Sequence, residues 1–205
     1  MTTQTKTRRD ALREALIIIA EKQIAAEGMS GLRARDLAIE AGCALGAIYN
    51  VFPDLTALTL EVNARTFADL GQDVAEALAG SAPDPTAQMV TMGLSYHQFA
   101  ARNRNRWRAL FQLPLPAGSK PPDWYLADME RLFAYIADPV SALFPQMSAM
   151  DQALFTRALF SSVHGIVWLT LDVAGSGEPA ADTDRMICLL LENLTAARLS
   201  QQIVS

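Results

Sequence analysis

The stretch from Gly28 to Leu58, GMSGLRARDLAIEAGCALGAIYNVFPDLTAL, constrains the fold of this chain more than any other. Leu37, Ala38 and Ala41 recur at three- and four-residue spacing, which gives the short helix around Arg35-Asp36-Leu37-Ala38 an apolar face. Gly42, inside Ala41-Gly42-Cys43, supplies a turn that reverses the chain between two short helices. A second helix is expected from Ala44 to Asn50, with a stop at Phe52-Pro53. Ile48 and Phe52 lie four apart and close that helix over the apolar face. Ala44, Leu45, Gly46, Ala47 and Asn50 are then left pointing outward, and they are small enough for a backbone to enter the major groove of DNA.

The rest of the chain reads as helix throughout. Leu12, Leu16, Ile19, Gln23 and Ile24 mark a first helix, with Gly28 as its C-terminal stop. Asp54 is placed to cap a long helix with the stripe Leu58, Val62, Phe67, Leu70, Val74 and Leu78, broken at Gly80 to Pro85. Met89, Met92, Tyr96 and Phe99 make another stripe. A short helix around Leu110 and Phe111 follows the run RNRNRWR, and Pro114 to Pro122 is a loop. A helix over Asp123 to Phe144 contains Pro139, which should kink or divide it. Ser148 and Asp151 form a capping-box pattern at the start of an apolar helix that reaches Ala174. Gly175 to Ala181 is a second loop, and a last helix starts near Asp182. With no period-two runs, the fold class is all-α. The expected division is an N-terminal three-helix helix-turn-helix domain over 8–54 and a larger helical domain over 55–205 for ligand binding and dimerisation.

Charge is unevenly spread. Residues 1–52 hold seven Lys/Arg against six Asp/Glu, whereas residues 53–205 hold ten against sixteen. Lys6, Arg8, Arg9 and Arg13 sit at the less acidic end, the one able to approach phosphates. No run of about 18 apolar residues is found, so no membrane partner is expected. The polar stretch Met1 to Thr7 lacks a signal core, and a cytoplasmic location is expected. Cys43 and Cys188 are read as two thiols in a reducing compartment. Two Cys and two His so placed offer no metal-ligand spacing, and no cofactor or metal is expected.

At Gly28, Ala34-Arg35-Asp36-Leu37-Ala38, Ala41-Gly42, Gly46, Ile48-Tyr49, Phe52 and Leu58 the chain resembles the TetR family of bacterial transcription regulators. The likeness covers residues 8–60. Phe160-Ser-Ser-Val-His164-Gly165 resembles the Trp-x-x-x-His-Gly signature of one class of TetR C-terminal domains, with Phe in place of Trp. The resemblance implies a homodimeric, ligand-responsive DNA-binding regulator, a repressor released from a palindromic operator by a small, mainly apolar effector. It assigns DNA contacts to Arg33, Arg35, Ala44, Leu45, Gly46, Ala47, Tyr49 and Asn50. The chain departs from the family at Arg33 and Ala44, where many members have Ser or Thr, at Val51, where they have His or Tyr, and at Leu55, where they have Lys. These positions supply phosphate contacts, which carry much of the affinity. The alternative is therefore a sensor of the same fold that has lost strong DNA binding and acts through a protein partner.

Several residues carry two readings. Tyr49 is a phosphate contact or a half-buried ring, and Asn50 is a C-cap or a contact to phosphate or adenine. Arg33 and Arg35 contact DNA or pair with Asp36 and Glu40. Cys43 replaces a small core residue. His164 lies four residues from both Phe160 and Trp168, as a core histidine or as the polar anchor of an effector pocket. Met92, Tyr96, Phe99, Trp107, Phe111 and Phe133, with Phe160, His164 and Trp168, are the candidate pocket walls; Met89 and Trp124 are core or wall. Arg102, Arg104, Arg106 and Arg108 read as helix-end and surface charges. No nucleophile or carboxylate partner for His164 follows from spacing, so an enzyme is not expected.

Overall fold

The computed structural model describes residues 3–81, 83–113, 115, 118, 120–172 and 180–202. Among these residues the secondary structure is helical: α1 (Thr3–Glu27), a 3₁₀ turn (Met29–Gly31), α2 (Ala34–Glu40), α3 (Leu45–Tyr49), α4 (Leu55–Ala79), α5 (Pro85–Arg102), α6 (Arg104–Ala109), α7 (Asp123–Leu143), α8 (Ala149–Asp172) and α9 (Ala180–Gln202).

Local chemistry sets most of these boundaries. Gly28 ends α1 with φ at 71° and donates its N–H to Ile24 O at 2.8 Å. The Asp54 carboxylate accepts the Ala57 N–H at 2.7 Å, and Asp84 accepts that of Ala87 at 2.8 Å, so each satisfies a helix-start donor. Ser148 Oγ accepts the Asp151 N–H at 3.1 Å and donates to the Asp151 carboxylate at 2.8 Å, which closes the capping box. Two expectations are revised. Helix α1 begins at Thr3, so Lys6, Arg8 and Arg9 ride on its first turns. Helix α7 runs on through Pro139, so the proline does not divide it. That proline stands four residues before the helix end, where its missing N–H costs a single intrahelical bond. In the Pro114–Pro122 loop, Pro114, Pro116, Ala117 and Ser119 lie outside the described residues, as do 173–179 of the Gly175–Ala181 loop.

The chain packs as two compact units, one of residues 1–69 and 103–128, the other of 70–102 and 129–205. Helix α4 belongs to both, passing from the first to the second after Asp69. The first unit's core gathers Leu16, Ile17, Ala20 and Ile24 of α1, Leu37 and Ala38 of α2, Ile48 of α3, Phe52, and Leu58 and Val62 of α4. Each large aliphatic side chain so buried contributes about 1.5–3 kcal/mol. Helix α6 docks on the end of α1, where Asn105 Nδ2 donates to Ala25 O at 2.9 Å and Ala26 O at 3.2 Å. Arg106 reaches Glu21 at 3.0 Å and Asp69 at 2.6 Å, tying α6 to α1 and α4. The Asn63 amide donates to Ala109 O at 3.1 Å and Tyr125 Oη at 3.3 Å.

In the second unit α5 packs on α9 and α8. The approach is close at Gly93, where a Cβ would stand 2.7 Å from Ile187 Cγ2 and 3.1 Å from Leu191 Cδ1. His97 Nδ1 lies 2.7 Å from the Asp184 carboxylate, a polar tie between α5 and α9. Helix α8 is long and apolar enough to cross a membrane by length and composition, which a search for an unbroken apolar run passes over. Here it turns Thr156, Leu159, Val163 and Val167 into the unit.

Candidate functional site

Two constellations carry chemistry, one in each unit. The first is built on α2 and α3. The chain turns between them at Gly42, whose φ of 62° needs glycine, and Cys43 N–H donates to Ala38 O at 3.0 Å. Ala44 and Asn50 flank α3 as its N-cap and C-cap residues. Ile48 and Phe52 are buried in the core, which turns the opposite side of α3 outward: Leu45 is 44% exposed and Tyr49 49%. Four residues apart on a helix, these two side chains stand on one face. Ala44, Gly46 and Asn50 are exposed and Ala47 is partly so.

Arg33 precedes α2 and Arg35 sits in its first turn, both exposed. Neither is held by a carboxylate among the described residues. Glu40 instead pairs with Lys22 at 2.8 Å and accepts from Gln23 at 3.4 Å, and these bonds hold its carboxyl below the ordinary range. Lys6, Arg8 and Arg9 are exposed on α1. Arg13 is engaged elsewhere, paired with Glu61 and lying over the Phe52 ring at 5.4 Å. Two of the departures from the family pattern, Val51 and Leu55, pack partly buried against the first unit's core, and so does Cys43.

The second constellation is an aromatic cluster. Tyr96 Oη of α5 and His164 Nδ1 of α8 are 2.8 Å apart, a hydrogen bond whose direction follows the imidazole tautomer. The His164 ring stacks on Phe160 at 5.6 Å with a 17° interplanar angle, and Trp168 stands 5.7 Å away on the other side along the helix. Tyr96 meets Phe160 edge-on at 5.8 Å, and Phe133 of α7 meets it at 5.0 Å. Burial pushes the His164 pKa down from its ordinary 6.5, which favours the neutral ring. The arrangement is a cluster of aromatic rings around one imidazole–phenol hydrogen bond.

The sequence-derived residues therefore divide. Tyr96, Phe133, Phe160, His164 and Trp168 form one cluster, and Met92 and Phe99 are buried on α5 of the same unit. Trp107 and Phe111 belong to the first unit, where their rings meet edge-on at 5.7 Å and Trp107 is fully buried. Trp124 is half-exposed against Tyr125 there. Sequence reasoning missed the pairing of buried His97 with the partly exposed Asp184, which no local spacing announces because the partners are 87 positions apart. A polar residue inside the α5 apolar stripe was the available signal.

A family model described as "Tetracyclin repressor-like, C-terminal domain" matches residues 89–194. No curated protein matches the sequence. Among solved structures the fold is similar to a protein of unknown function from Rhodococcus sp. RHA1, at 20% identity and a TM-score of 0.73, covering 91% of this chain and 94% of that one. It is similar to RolR in complex with resorcinol, at 18% identity and a TM-score of 0.68, with coverage of 92% and 89%. A TetR-family transcriptional regulator from Bordetella parapertussis 12822 aligns at 19% identity and a TM-score of 0.59, over 89% and 93% of the two chains.

Proposed function

The chain belongs to the TetR family of transcriptional regulators, and on that premise we propose that it is a homodimeric repressor, released from a pseudo-palindromic operator by a small aromatic effector. The observation that carries the DNA half is the outward face of α3 together with Arg33 and Arg35 on or just before α2, two exposed cations with no carboxylate partner among the described residues. Phosphate contacts from such cations supply affinity and register, and the α3 face enters the major groove. Arg33, Arg35, Tyr49 and Asn50 are the proposed polar contacts; Ala44, Leu45, Gly46 and Ala47 form the apolar part of the surface.

The effector half rests on the cluster of Tyr96, Phe133, Phe160, His164 and Trp168. RolR, whose structure holds resorcinol, shares the fold, and a flat phenol of that kind suits walls of aromatic rings with one imidazole–phenol pair. Release works through α4, whose two ends belong to different units. An effector that binds the non-operator arrangement more tightly shifts the population toward it.

The partner chain in the dimer is a second copy. Leu154, Ala158, Ser161, Gly165 and Leu169 recur at three- and four-residue spacing on α8, with Leu154 57% and Leu169 61% exposed. A Cβ on Gly165 would meet nothing within 4 Å in its own chain. Such a stripe lets another helix pack closely, and Leu189 and Leu194 of α9 extend the exposed apolar surface.

The test of the DNA half is the salt dependence of operator binding in wild-type and Arg35→Ala proteins. Losing one phosphate contact flattens the slope of log K against log salt by about 0.9, so a dimer lacking one in each chain flattens it by about 1.8, and binding to every duplex weakens alike. An unchanged slope together with no operator preference would favour the sensor that acts through a protein partner.

A further inference from the structure

The outward face of α3 is chemically unusual for a surface meant to read base edges. The helix is Leu45-Gly46-Ala47-Ile48-Tyr49, with no lysine, arginine, amide or carboxylate on it. The polar groups in reach are the Tyr49 hydroxyl and Asn50, both at its C-terminal end. At the other end stands Leu45, beside exposed Ala44 and Gly46. An exposed leucine alone is ordinary; its surroundings here are not. Glycine is a poorer helix former than alanine, and a Cβ on Gly46 would meet nothing within 4 Å of its own chain. Internal packing therefore does not require that glycine. It clears room outside the chain, next to Leu45.

The cations Arg33 and Arg35 lie on α2 or just before it, and α2 packs on α3. The surface therefore joins positive charge on the neighbouring helix to a bare apolar side chain at the start of α3, a pattern complementary to a duplex groove edged by phosphates. Within the major groove the apolar feature that a base pair offers is the C5-methyl group of thymine; the other edges are hydrogen-bond donors and acceptors.

We infer that Leu45 is a specificity-determining residue that reads the C5-methyl group of a pyrimidine, with Gly46 and Ala44 giving the groove access to it. The inference rests on the DNA-binding reading above and names what that face selects: a 5-methylpyrimidine, not a donor and acceptor pattern. Cytosine methylated at C5 satisfies Leu45 as thymine does.

The experiment uses the full-length protein and a duplex enriched from a randomised pool by binding to it. Each thymine is replaced in turn by 2′-deoxyuridine, which deletes the methyl group and leaves every hydrogen-bonding edge in place. At the step Leu45 reads, the replacement weakens binding about fourfold, the equivalent of about 0.8 kcal/mol for one buried methyl-sized group. A cytosine–guanine pair placed at that step binds more tightly when the cytosine carries a 5-methyl group. Leu45→Ala, at a half-exposed position whose loss leaves the core intact, removes the thymine preference over uracil while the thermal melt stays unchanged. Specific binding with equal affinity for thymine and uracil at every step overturns the inference and leaves the DNA-binding reading standing. So does a Leu45→Ala protein that keeps the preference. Failure of any duplex to enrich overturns the DNA-binding reading and the inference with it.

Discussion

His164 is held neutral by burial, which lowers its pKa from 6.5, and it shares a 2.8 Å hydrogen bond with Tyr96. The folded ring thus resists a proton that the unfolded ring accepts near pH 6.5. Stability is unaffected by this group above that pH and declines as pH falls below it, because the unfolded state then binds more protons. Melts of wild-type and His164→Phe proteins from pH 7.5 down to pH 5 should differ in slope on the acid side, the variant losing less. In the regulatory assay the same variant should keep its operator affinity and lose induction by roughly 1–3 kcal/mol, the cost of one unmade buried polar contact. An unaltered induction curve would leave His164 as a core residue alone. Glycines give a paired test. Gly93→Ala drives a Cβ to 2.7 Å from Ile187, which is fully buried and cannot swing away, so its Tm should fall by the effect of about 1–3 kcal/mol of overpacking. Gly46→Ala meets no atom of the chain and should raise the Tm while weakening operator binding.

At the scale of elements, what was legible in the sequence is what is local. The glycine stop at Gly28, the Asp54 cap and the Ser148–Asp151 box each need only a few consecutive residues, and each makes the hydrogen bond its pattern implies. The turn at Gly42 follows from the glycine itself, and the inward Ile48 from its spacing to Phe52. Less legible were features decided by partners far along the chain. Lys6, Arg8 and Arg9 precede Leu12, the first apolar marker of the helix, yet α1 extends to include them. The arginine-rich run before Trp107 reads as surface charge, but Arg106 bridges Glu21 and Asp69. Periodicity also could not assign Trp107 and Phe111 to the unit that holds α1, since an apolar stripe does not say which core receives it. The Asn105 amide should matter for the same long-range reason: Asn105→Ala removes its bonds to Ala25 O and Ala26 O. About 1 kcal/mol of stability should go with them, seen as faster hydrogen exchange in the last turn of α1. Unchanged exchange there would mean that solvent serves those carbonyls equally well.

For the whole molecule, the family assignment, the two units and the exposed α8 stripe lead to one assembly. A helix-turn-helix unit spans too few base pairs for specificity, and a two-fold dimer doubles the reading. Light scattering should give twice the 22.3 kDa chain mass. Gly165→Arg, placed where a side chain meets nothing in its own chain, should shift the protein toward the monomer without unfolding it. A variant still fully dimeric would move the interface off this stripe. The central claim is that two copies of the chain read a specific duplex through the α3 face, and a stoichiometric titration tests it most directly. At one salt concentration, the enriched duplex and a scrambled duplex of the same composition are titrated with the full-length protein and followed by fluorescence anisotropy. The account predicts saturation at two chains per enriched duplex, with affinity at least about a thousandfold above the scrambled one, the lower range for specific recognition. Equal affinity for the two duplexes, or no binding to either, would contradict it.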